Sequence, residues 1–473
     1  MVDRILRRVP LLALAVVAGG LLRLASAPIA DPDTWWHLRL GHDLSASGLQ
    51  WSSVQHWSPF ATEAWDPSAP LSDIVFFRAE DWFGLPGVAW LFGLGLLAML
   101  AAAYLCCRSV AADLPAVLAT VVMVAGASGS MTPRPQIVSF VLIPIVVCVW
   151  LRTEKDHTPR WWLIPLTWVW AMCHGYWFIG VLVGLTFAGG MALSARLAGG
   201  RLISPESRRL LAVPLLSLGA AMLTPVGPGL VLAPARVGER GQFVEEGMRT
   251  AFNNRVHPWL VLAMILIVAA IWAIKRLDVS VSRVGLLVMS VGWLLIAERT
   301  VAVAAILMAP LLASAVQSLI SERSTDPWVT KRGILAFMGA AGLGLAVLAL
   351  VVPHTAGDPD DVPTGFDERL RSQPADAVVL NEYTVGGWLA WQYPQIHVAI
   401  DPLADAYSVD YLRSYRDMLR ARGDWTQFVE DTDPDLAVLR EADPITPALT
   451  DAGWKVEATD GPFVLMTPPG AAP

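Results

Sequence analysis

Two carboxylates and an imidazole lie close together near the start of the chain, in the segment DPDTWWH at residues 31–37. Asp31 is suited to cap a helix whose first residue is the following proline, so Asp33 and His37 are expected one turn apart on one helix face. Such a cluster can supply a general base, with Asp31 or Asp33 as the carboxylate. It can also bind a divalent cation through Asp31, Asp33 and His37. A purely structural interpretation stays open, because helix capping alone explains both acids.

Two adjacent tryptophans, Trp35 and Trp36, accompany these acids. Their rings can hold a sugar or a lipid-linked substrate. The alternative is that they anchor the helix at a membrane surface, where amphipathic aromatic rings are favoured.

Three further side chains are candidates for contact with a phosphate or another part of a substrate. Arg134, in the rigid turn MTPRPQ at residues 131–136, can bind a phosphate, or it can be a snorkelling arginine beside a turn. His174 and Arg299 fall at predicted outer ends of apolar helices, where ionisable groups are functional candidates. The alternatives are a hydrogen-bonded interface residue for His174 and mutual neutralisation of Arg299 with Glu298.

Two weaker groups of candidates remain. Glu245 and Glu246 can provide a second acid, although a solvated charged loop explains them as well. Asn381, Glu382 and Asp401 follow predicted strands, at the edge where open α/β sheets bind ligands, and turn formation is the alternative. The sequence contains no glycine-rich phosphate loop, zinc-ligand spacing or nucleophile elbow.

The elements that must position these residues are strongly apolar. Of 473 residues, 55% are hydrophobic and 16% are charged, and the mean hydropathy is +0.51, a balance typical of a membrane protein. The first apolar run begins at Val9 and is interpreted as a retained helix rather than a cleaved signal. Ten more runs fall near 86–107, 111–130, 136–151, 161–174, 176–197, 209–226, 258–274, 284–297, 300–319 and 333–353. The sequence therefore predicts about 11 transmembrane helices.

Basic residues predict the orientation of these helices. Lys and Arg concentrate in alternate connections, as expected if those connections and the N-terminus face the cytoplasm. An odd number of helices then puts the C-terminus outside. Two long outer segments remain, at about 31–85 and 227–257, and long loops of this kind usually carry function. Residues 71–83 are expected to form a helix along the membrane surface.

The composition changes after the last apolar run. Residues 354–473 contain 21 of the 41 acidic residues and only 8 of the 34 basic residues, a net charge of −13, which leaves residues 1–353 at +6. We predict a transmembrane domain at 1–353, a linker at 354–376 and a soluble, extracytoplasmic α/β domain at 377–473. Strands are expected at 378–380, 396–400, 436–439, 456–457 and 463–466. An acidic domain excludes nucleic acid as a partner.

Several of these motifs together resemble a family of uncharacterised bacterial polytopic membrane proteins that look like GT-C-type glycosyltransferases. The motifs are residues 31–38 with Gly41, residues 132–136, His174 with Gly175, and residues 298–301. The segment from Asn381 to Tyr411 resembles the soluble tail of the same family.

The resemblance implies a fold and an activity. GT-C enzymes use polyprenyl-phosphate sugars as donors and place an acidic residue in the first outer loop, a role that falls here on Asp31 or Asp33. The implied reaction is an inverting displacement in which Arg134 or Arg299 stabilises the leaving phosphate. It also implies a divalent cation, Mg²⁺ or Mn²⁺, as the one cofactor to consider. The class often has acidic pairs in later loops, and only Glu245 and Glu246 match them here, weakly.

The sequence thus favours a glycosyltransferase of the bacterial cytoplasmic membrane that moves a sugar from a lipid-linked donor to a glycan, lipid or protein acceptor in the cell envelope. The alternative is a non-enzymatic transporter or envelope assembly factor. A transporter should show repeated helix sets and charges at the membrane midplane, whereas the charged candidates here collect at one outer face.

Overall fold

The structure is a computed structural model that describes residues 9–48, 57–231, 249–253, 255–320 and 331–470. Glu245 and Glu246, and much of the second long outer segment, lie outside the described residues.

Thirteen helices form the part of the described chain that precedes the sheet domain. They are α1 (Val9–Ala25), α2 (Pro32–Ser47), α3 (Pro70–Phe83), α4 (Leu85–Arg108), α5 (Asp113–Ala127), α6 (Gln136–Asp156), α7 (Leu163–Cys173), α8 (Trp177–Leu197), α9 (Pro205–Ala221), α10 (Val256–Lys275), α11 (Val281–Ile296), α12 (Val301–Gln317) and α13 (Lys331–Thr355).

Eleven of these helices, α1 and α4 to α13, coincide with the eleven predicted apolar runs. Among the described residues, seven helices are long and apolar enough to cross a membrane, and three shorter apolar helices fall within α1, α7 and α11. The most buried of the seven candidate spans, Glu298–Gln317, contains α12 and has 83% of its apolar window inside the protein. The chain is therefore a multi-pass membrane protein whose bundle is built around α12.

The two remaining helices, α2 and α3, are amphipathic and pack against one another. A Cβ atom on Gly41 would overlap the carbonyl oxygen of Asp73 and would lie 2.7 Å from Cβ of Phe77. Only glycine permits this approach, because any side chain at residue 41 would push the two helices apart. The two helices of the first long outer segment, α2 and α3, are thus in close contact at Gly41 and Asp73.

The C-terminal part is a small α/β domain with a five-stranded sheet. Its strands are β1 (Val378–Asn381), β2 (His397–Val398), β3 (Leu436–Arg440), β4 (Lys455–Asp460) and β5 (Phe463–Thr467), in the order β2-β1-β3-β5-β4. β1 is parallel to β2 and β3, and β5 is antiparallel to β3 and β4. The accompanying helices are α14 (Asp367–Arg371), α15 (Gly386–Gln392), α16 (Val409–Leu419), α17 (Trp425–Thr432) and α18 (Ile445–Asp451). Each strand overlaps a predicted one.

The sheet domain sits directly on the first turn of α2. A Cβ atom on Gly387 in α15 would lie 3.2 Å from the carbonyl oxygen of Pro32 and 3.2 Å from the backbone nitrogen of Trp36. The Trp35 ring packs against Trp391, with ring centroids 5.2 Å apart. These contacts fix the helix that carries the acidic cluster between the membrane part and the sheet domain.

Two other segments also tie the sheet domain down. Phe60 of the first outer segment stacks on Tyr411, with centroids 5.6 Å apart, and the backbone nitrogen of Glu63 donates to the carbonyl oxygen of Ala406 at 3.0 Å. The nitrogen of Asp360 donates to the carbonyl oxygen of Ile29 at 3.0 Å, which joins the linker to the residues that follow α1.

We predict that Gly387→Val loosens the sheet domain, because the added side chain must displace the first turn of α2. The expected loss of stability is about 1–3 kcal/mol, as for other overpacked contacts. The measurements are the thermal unfolding temperature in detergent and the rate at which a protease cleaves the 354–376 linker. Gly189→Val is the control, since a Cβ atom there has no neighbour within 4 Å. Equal cleavage rates for the two variants would contradict the packing argument.

Candidate functional site

An arginine joins both acids of the first motif. Asp31 caps α2, where its side chain accepts a hydrogen bond from the backbone nitrogen of Asp33 at 3.0 Å. The Arg134 guanidinium pairs with both carboxylates, through Nη2 to Asp31 Oδ2 at 3.0 Å and through Nη1 to Asp33 Oδ2. The side chains of Asp31 and Arg134 are 7% and 9% exposed and that of Asp33 is 26% exposed, so Asp33 is the carboxylate that a substrate can reach.

The turn before α6 holds Arg134 in place. Its Nε donates to Thr132 Oγ1 at 2.9 Å, and Gln136 Nε2 donates to the same oxygen at 3.1 Å and to the carbonyl oxygen of Ser130 at 2.7 Å. Thr34 Oγ1 donates to the carbonyl oxygen of Pro133 at 3.1 Å, which attaches the turn to α2. Arg134 is therefore a preorganised cation rather than a snorkelling side chain.

His37 is buried and paired with an acid that the sequence analysis missed. Its Nδ1 lies 2.6 Å from Oδ1 of Asp73, whose side chain is fully buried. Burial lowers the pKa of His37 to about 3, against the opposing effect of Asp33, and burial raises the pKa of Asp73 well above its usual value. The available signal was an aspartate inside the otherwise apolar stretch that begins α3.

His174 lies at the C-terminal end of α7 and belongs to the same cluster. Its Nδ1 lies 2.9 Å from Ser139 Oγ, which also accepts from Trp170 Nε1 at 2.8 Å. Burial, together with the nearby His37, Arg134 and Arg299, lowers the pKa of His174 to about 3. His174 is thus a neutral imidazole among the predicted site residues.

Arg299 lies in a short 3-10 turn (Glu298–Thr300) before α12, and its backbone carbonyl accepts from Tyr176 Oη at 3.3 Å. Glu298 does not neutralise it. Instead Glu298 Oε1 lies 2.6 Å from Nε2 of His257 and 3.4 Å from Nη1 of Arg255. Within the described part of the chain, the half-buried Arg299 guanidinium has no ion pair.

The two tryptophans of the motif are packed inside the protein. Trp35 is 1% exposed and contacts Trp391, and Trp36 is 8% exposed and stacks on His37 with centroids 3.6 Å apart. In this conformation their rings hold α2 in place and do not face an opening.

In this structure the side chains of the proposed metal set are engaged by other groups of the protein. Asp31 and Asp33 already share the Arg134 guanidinium, and Nδ1 of His37 is engaged by Asp73. Among the described residues, no group of three or more His, Cys, Asp or Glu side chains could hold a metal ion. The cation at this site is a guanidinium.

An apolar cavity of about 360 Å³ opens beside the acids. It lies between the C-terminal end of α1, the segment that follows it, α4 and the turn that carries Arg134. Its lining is almost entirely apolar and includes Leu24, Ala25, Ile29, Asp31, Phe92, Met131 and Pro133. Asp31 is the one acidic side chain among the lining residues, and the turn that carries Arg134 contributes Met131, Thr132 and Pro133.

The residues after β1 and β2 do not open onto a ligand site. The buried amide of Asn381 donates to the carbonyl oxygen of Ile400 at 2.8 Å and accepts from the nitrogen of Ala399 at 3.0 Å. Asp401 accepts from the nitrogen of Leu403 at 2.7 Å and from Tyr407 Oη at 2.8 Å. Both side chains close turns, as the structural interpretation expected.

Comparison with known proteins defines the fold. No protein-family model matches the chain, and no curated protein matches its sequence. The archaeal oligosaccharyltransferase AglB from Archaeoglobus fulgidus, in complex with an inhibitory peptide and a dolichol-phosphate, aligns with a TM-score of 0.55 at 12% identity. That alignment covers 91% of this chain and 69% of AglB.

A second solved structure matches over nearly the whole of both chains. ArnT from Cupriavidus metallidurans, bound to undecaprenyl phosphate, aligns with a TM-score of 0.52 at 14% identity over 96% of this chain and 97% of ArnT. The fold expected from the sequence, a GT-C-type membrane bundle with a small C-terminal α/β domain, is therefore confirmed.

We predict that Arg134→Gln destabilises the protein, because it leaves two poorly exposed carboxylates side by side without a cation. Breaking a buried pair in this way costs roughly 3–5 kcal/mol. The control is Arg413→Gln, which removes an ion pair to Asp410 whose side chains are 52% and 90% exposed and should cost less than about 1 kcal/mol. Thermal unfolding in detergent compares the two variants. Equal losses of stability would show that the Arg134 ion pairs stabilise the protein no more than an exposed pair does.

Proposed function

We propose that the protein is a glycosyltransferase that moves a sugar from a polyprenyl-phosphate donor to a cell-envelope acceptor. The fold supports this proposal, because the two structural neighbours are bound to dolichol-phosphate and undecaprenyl phosphate. The acceptor class, whether glycan, lipid or protein, stays open.

The observation that carries the proposal is that Asp31, which lines the apolar cavity, shares the Arg134 guanidinium with Asp33. A lipid-linked phosphate needs an apolar channel for its chain and cations for its head group. Arg134 and Arg299 supply the cations, and Asp33 supplies a carboxylate within reach of the same point.

In the proposed reaction, the Asp33 carboxylate accepts the proton of an acceptor hydroxyl as that oxygen attacks the anomeric carbon. The bond between the anomeric carbon and the phosphate oxygen breaks, and the polyprenyl phosphate leaves with the electron pair. Arg134 and Arg299 stabilise the negative charge that develops on this oxygen. Attack and departure on opposite faces of the carbon invert its configuration. Asp31 holds Arg134 and caps α2, and Trp35 and Trp36 fix the helix that presents Asp33.

A divalent cation has no step in this mechanism, because the carboxylates that would bind it are held by Arg134. We place the site on the outer face of the bacterial cytoplasmic membrane, with the N-terminus in the cytoplasm. This orientation rests on the basic connections at the opposite ends of the helices from Asp33, Arg134 and the sheet domain.

We predict that Asp33→Asn abolishes transfer, because the amide cannot accept the acceptor proton. Loss of a general base lowers kcat by about 10²–10⁴-fold. The assay uses the purified wild type and variant with a panel of polyprenyl-phosphate sugars, with and without divalent cations. Asp43→Asn on the same helix is the control, since Asp43 pairs with Arg39 away from the cluster. Failure of the wild type to bind or turn over any lipid-linked sugar would favour the transporter or assembly-factor interpretation.

Arg299→Ala should weaken binding of the donor phosphate and stabilisation of its charge. The variant should stay folded, because the guanidinium has no ion pair to lose within the described residues. Removing one charge-assisted contact is expected to lower kcat/KM for the donor about 10–100-fold. Arg201→Ala, in the exposed connection between α8 and α9, is the matched control. An unchanged kcat/KM with a lowered unfolding temperature would assign Arg299 a structural role instead.

A further inference from the structure

The buried pair of His37 and Asp73 has no role in the transfer described above. It joins α2 to α3 through one contact of 2.6 Å between Nδ1 and Oδ1. The other carboxyl oxygen, Oδ2 of Asp73, is buried and has no hydrogen-bond partner among the described residues. A fully buried carboxylate with a single donor is costly, since each ionised oxygen needs several hydrogen bonds when it is removed from water.

The burial of both groups determines where the proton of the pair lies. A neutral pair avoids the cost of an isolated buried charge, and the carboxyl group of Asp73 then carries a proton that it donates to Nδ1. An imidazole that accepts at Nδ1 is protonated at Nε2, because a neutral ring has one donor and one acceptor. This state agrees with the raised pKa of Asp73 and the lowered pKa of His37.

The opposite ring nitrogen, Nε2, lies on the edge of the imidazole away from Asp73, and the charges that act on this ring are those of Asp33 and Arg134. Within the described chain, Nε2 of His37 makes no hydrogen bond. It is nevertheless not one of the fully buried polar atoms that lack a partner, so it keeps some exposure to solvent. The ionisable groups that act on the two imidazoles from the packed elements are Asp33 of α2, Asp73 of α3, Arg134 of the turn before α6, His174 after α7 and Arg299 before α12. Of these, Asp33, Arg134 and Arg299 are the residues to which we assign the reaction and the phosphate.

We propose that Asp73 is a positioning residue that holds His37 with its proton on Nε2, and that this N–H donates a hydrogen bond to the leaving phosphate oxygen of the lipid donor. The inference rests on the proposed function and adds a neutral donor to the two arginines. The N–H bond of His37 stays intact, because the side chain donates a hydrogen bond and does not transfer its proton. The bond strengthens as charge builds on the phosphate oxygen, which favours the transition state over the ground state.

Two replacements of His37 separate the roles of its two nitrogens. In His37→Gln the amide nitrogen reaches the position of Nε2. In His37→Asn the amide oxygen takes the position of Nδ1 and accepts from Asp73, but no donor reaches the position of Nε2. We expect His37→Asn to lower kcat and the affinity for undecaprenyl phosphate about 10–100-fold, and His37→Gln to retain clearly more of both. The control is His42→Asn on the same helix, whose side chain is 59% exposed and which should match the wild type.

Asp73→Asn tests the positioning role through the pH profile. The protonated Asp73 is the active form, so wild-type kcat falls as pH rises through the raised pKa of this carboxyl group. An asparagine donates to Nδ1 at every pH, so the kcat of this variant should not show that alkaline fall. Asp73→Leu should lose the orientation of His37 and behave like His37→Asn. An unchanged alkaline fall in Asp73→Asn would overturn the inference.

Binding of undecaprenyl phosphate alone to the purified protein tests the proposed function separately from the role of His37. Failure of the wild type to bind this lipid or to transfer any sugar would overturn the proposed function and the inference together. Binding and transfer by the wild type, with His37→Asn equal to it in kcat and affinity, would overturn only the role of His37. Unfolding temperatures check that each variant is folded, and a His37→Gln variant no better than a folded His37→Asn would likewise contradict the proposal.

Discussion

The pairing of one guanidinium with two carboxylates at the first turn of α2 is the interaction on which the site depends. Alone, Asp31 and Asp33 would repel one another in a poorly solvated place, and Arg134 would be an uncompensated cation. Together they fix the N-terminus of α2 against the turn before α6. The triad keeps one net negative charge, on a carboxylate that remains partly exposed. Because Arg134 is shared with two carboxylates, the proposed phosphate contact also uses Arg299, which has no ion pair among the described residues.

Much of the fold follows from local properties of the sequence. The apolar runs predicted every membrane-part helix from α4 to α13, because the length of a span and its hydropathy are set by the thickness of the bilayer. The cap at Asp31 and the strands of the sheet domain were equally readable, since turn chemistry and alternation act over a few residues. These features can be predicted without knowing the contacts between residues that are distant in the sequence.

The site was readable only in part, because its defining contacts join residues that are distant in the chain. Arg134 was a candidate for a phosphate, yet its pairing with Asp33, 101 residues away, was not predictable from either motif. Asp73 lies 36 residues from His37 and was passed over as part of an amphipathic helix. Capping, proposed as an alternative to catalysis for Asp31, is the role that Asp31 fills, while Asp33 keeps an exposed edge. The tryptophans looked available for a sugar because nothing local indicated that Trp391 covers one of them.

The close contact of Gly387 with the first turn of α2 limits how the membrane part and the sheet domain can be combined with parts of other proteins. The helix that carries the acids is covered on one side by a domain encoded more than 300 residues later, so the membrane part and the soluble part do not behave as interchangeable modules. A chimaera that joins this bundle to the tail of a distant relative must bring a glycine to the same place and an aromatic ring to cover Trp35. Without both, the graft would tilt the helix at its first turn, where the acids begin.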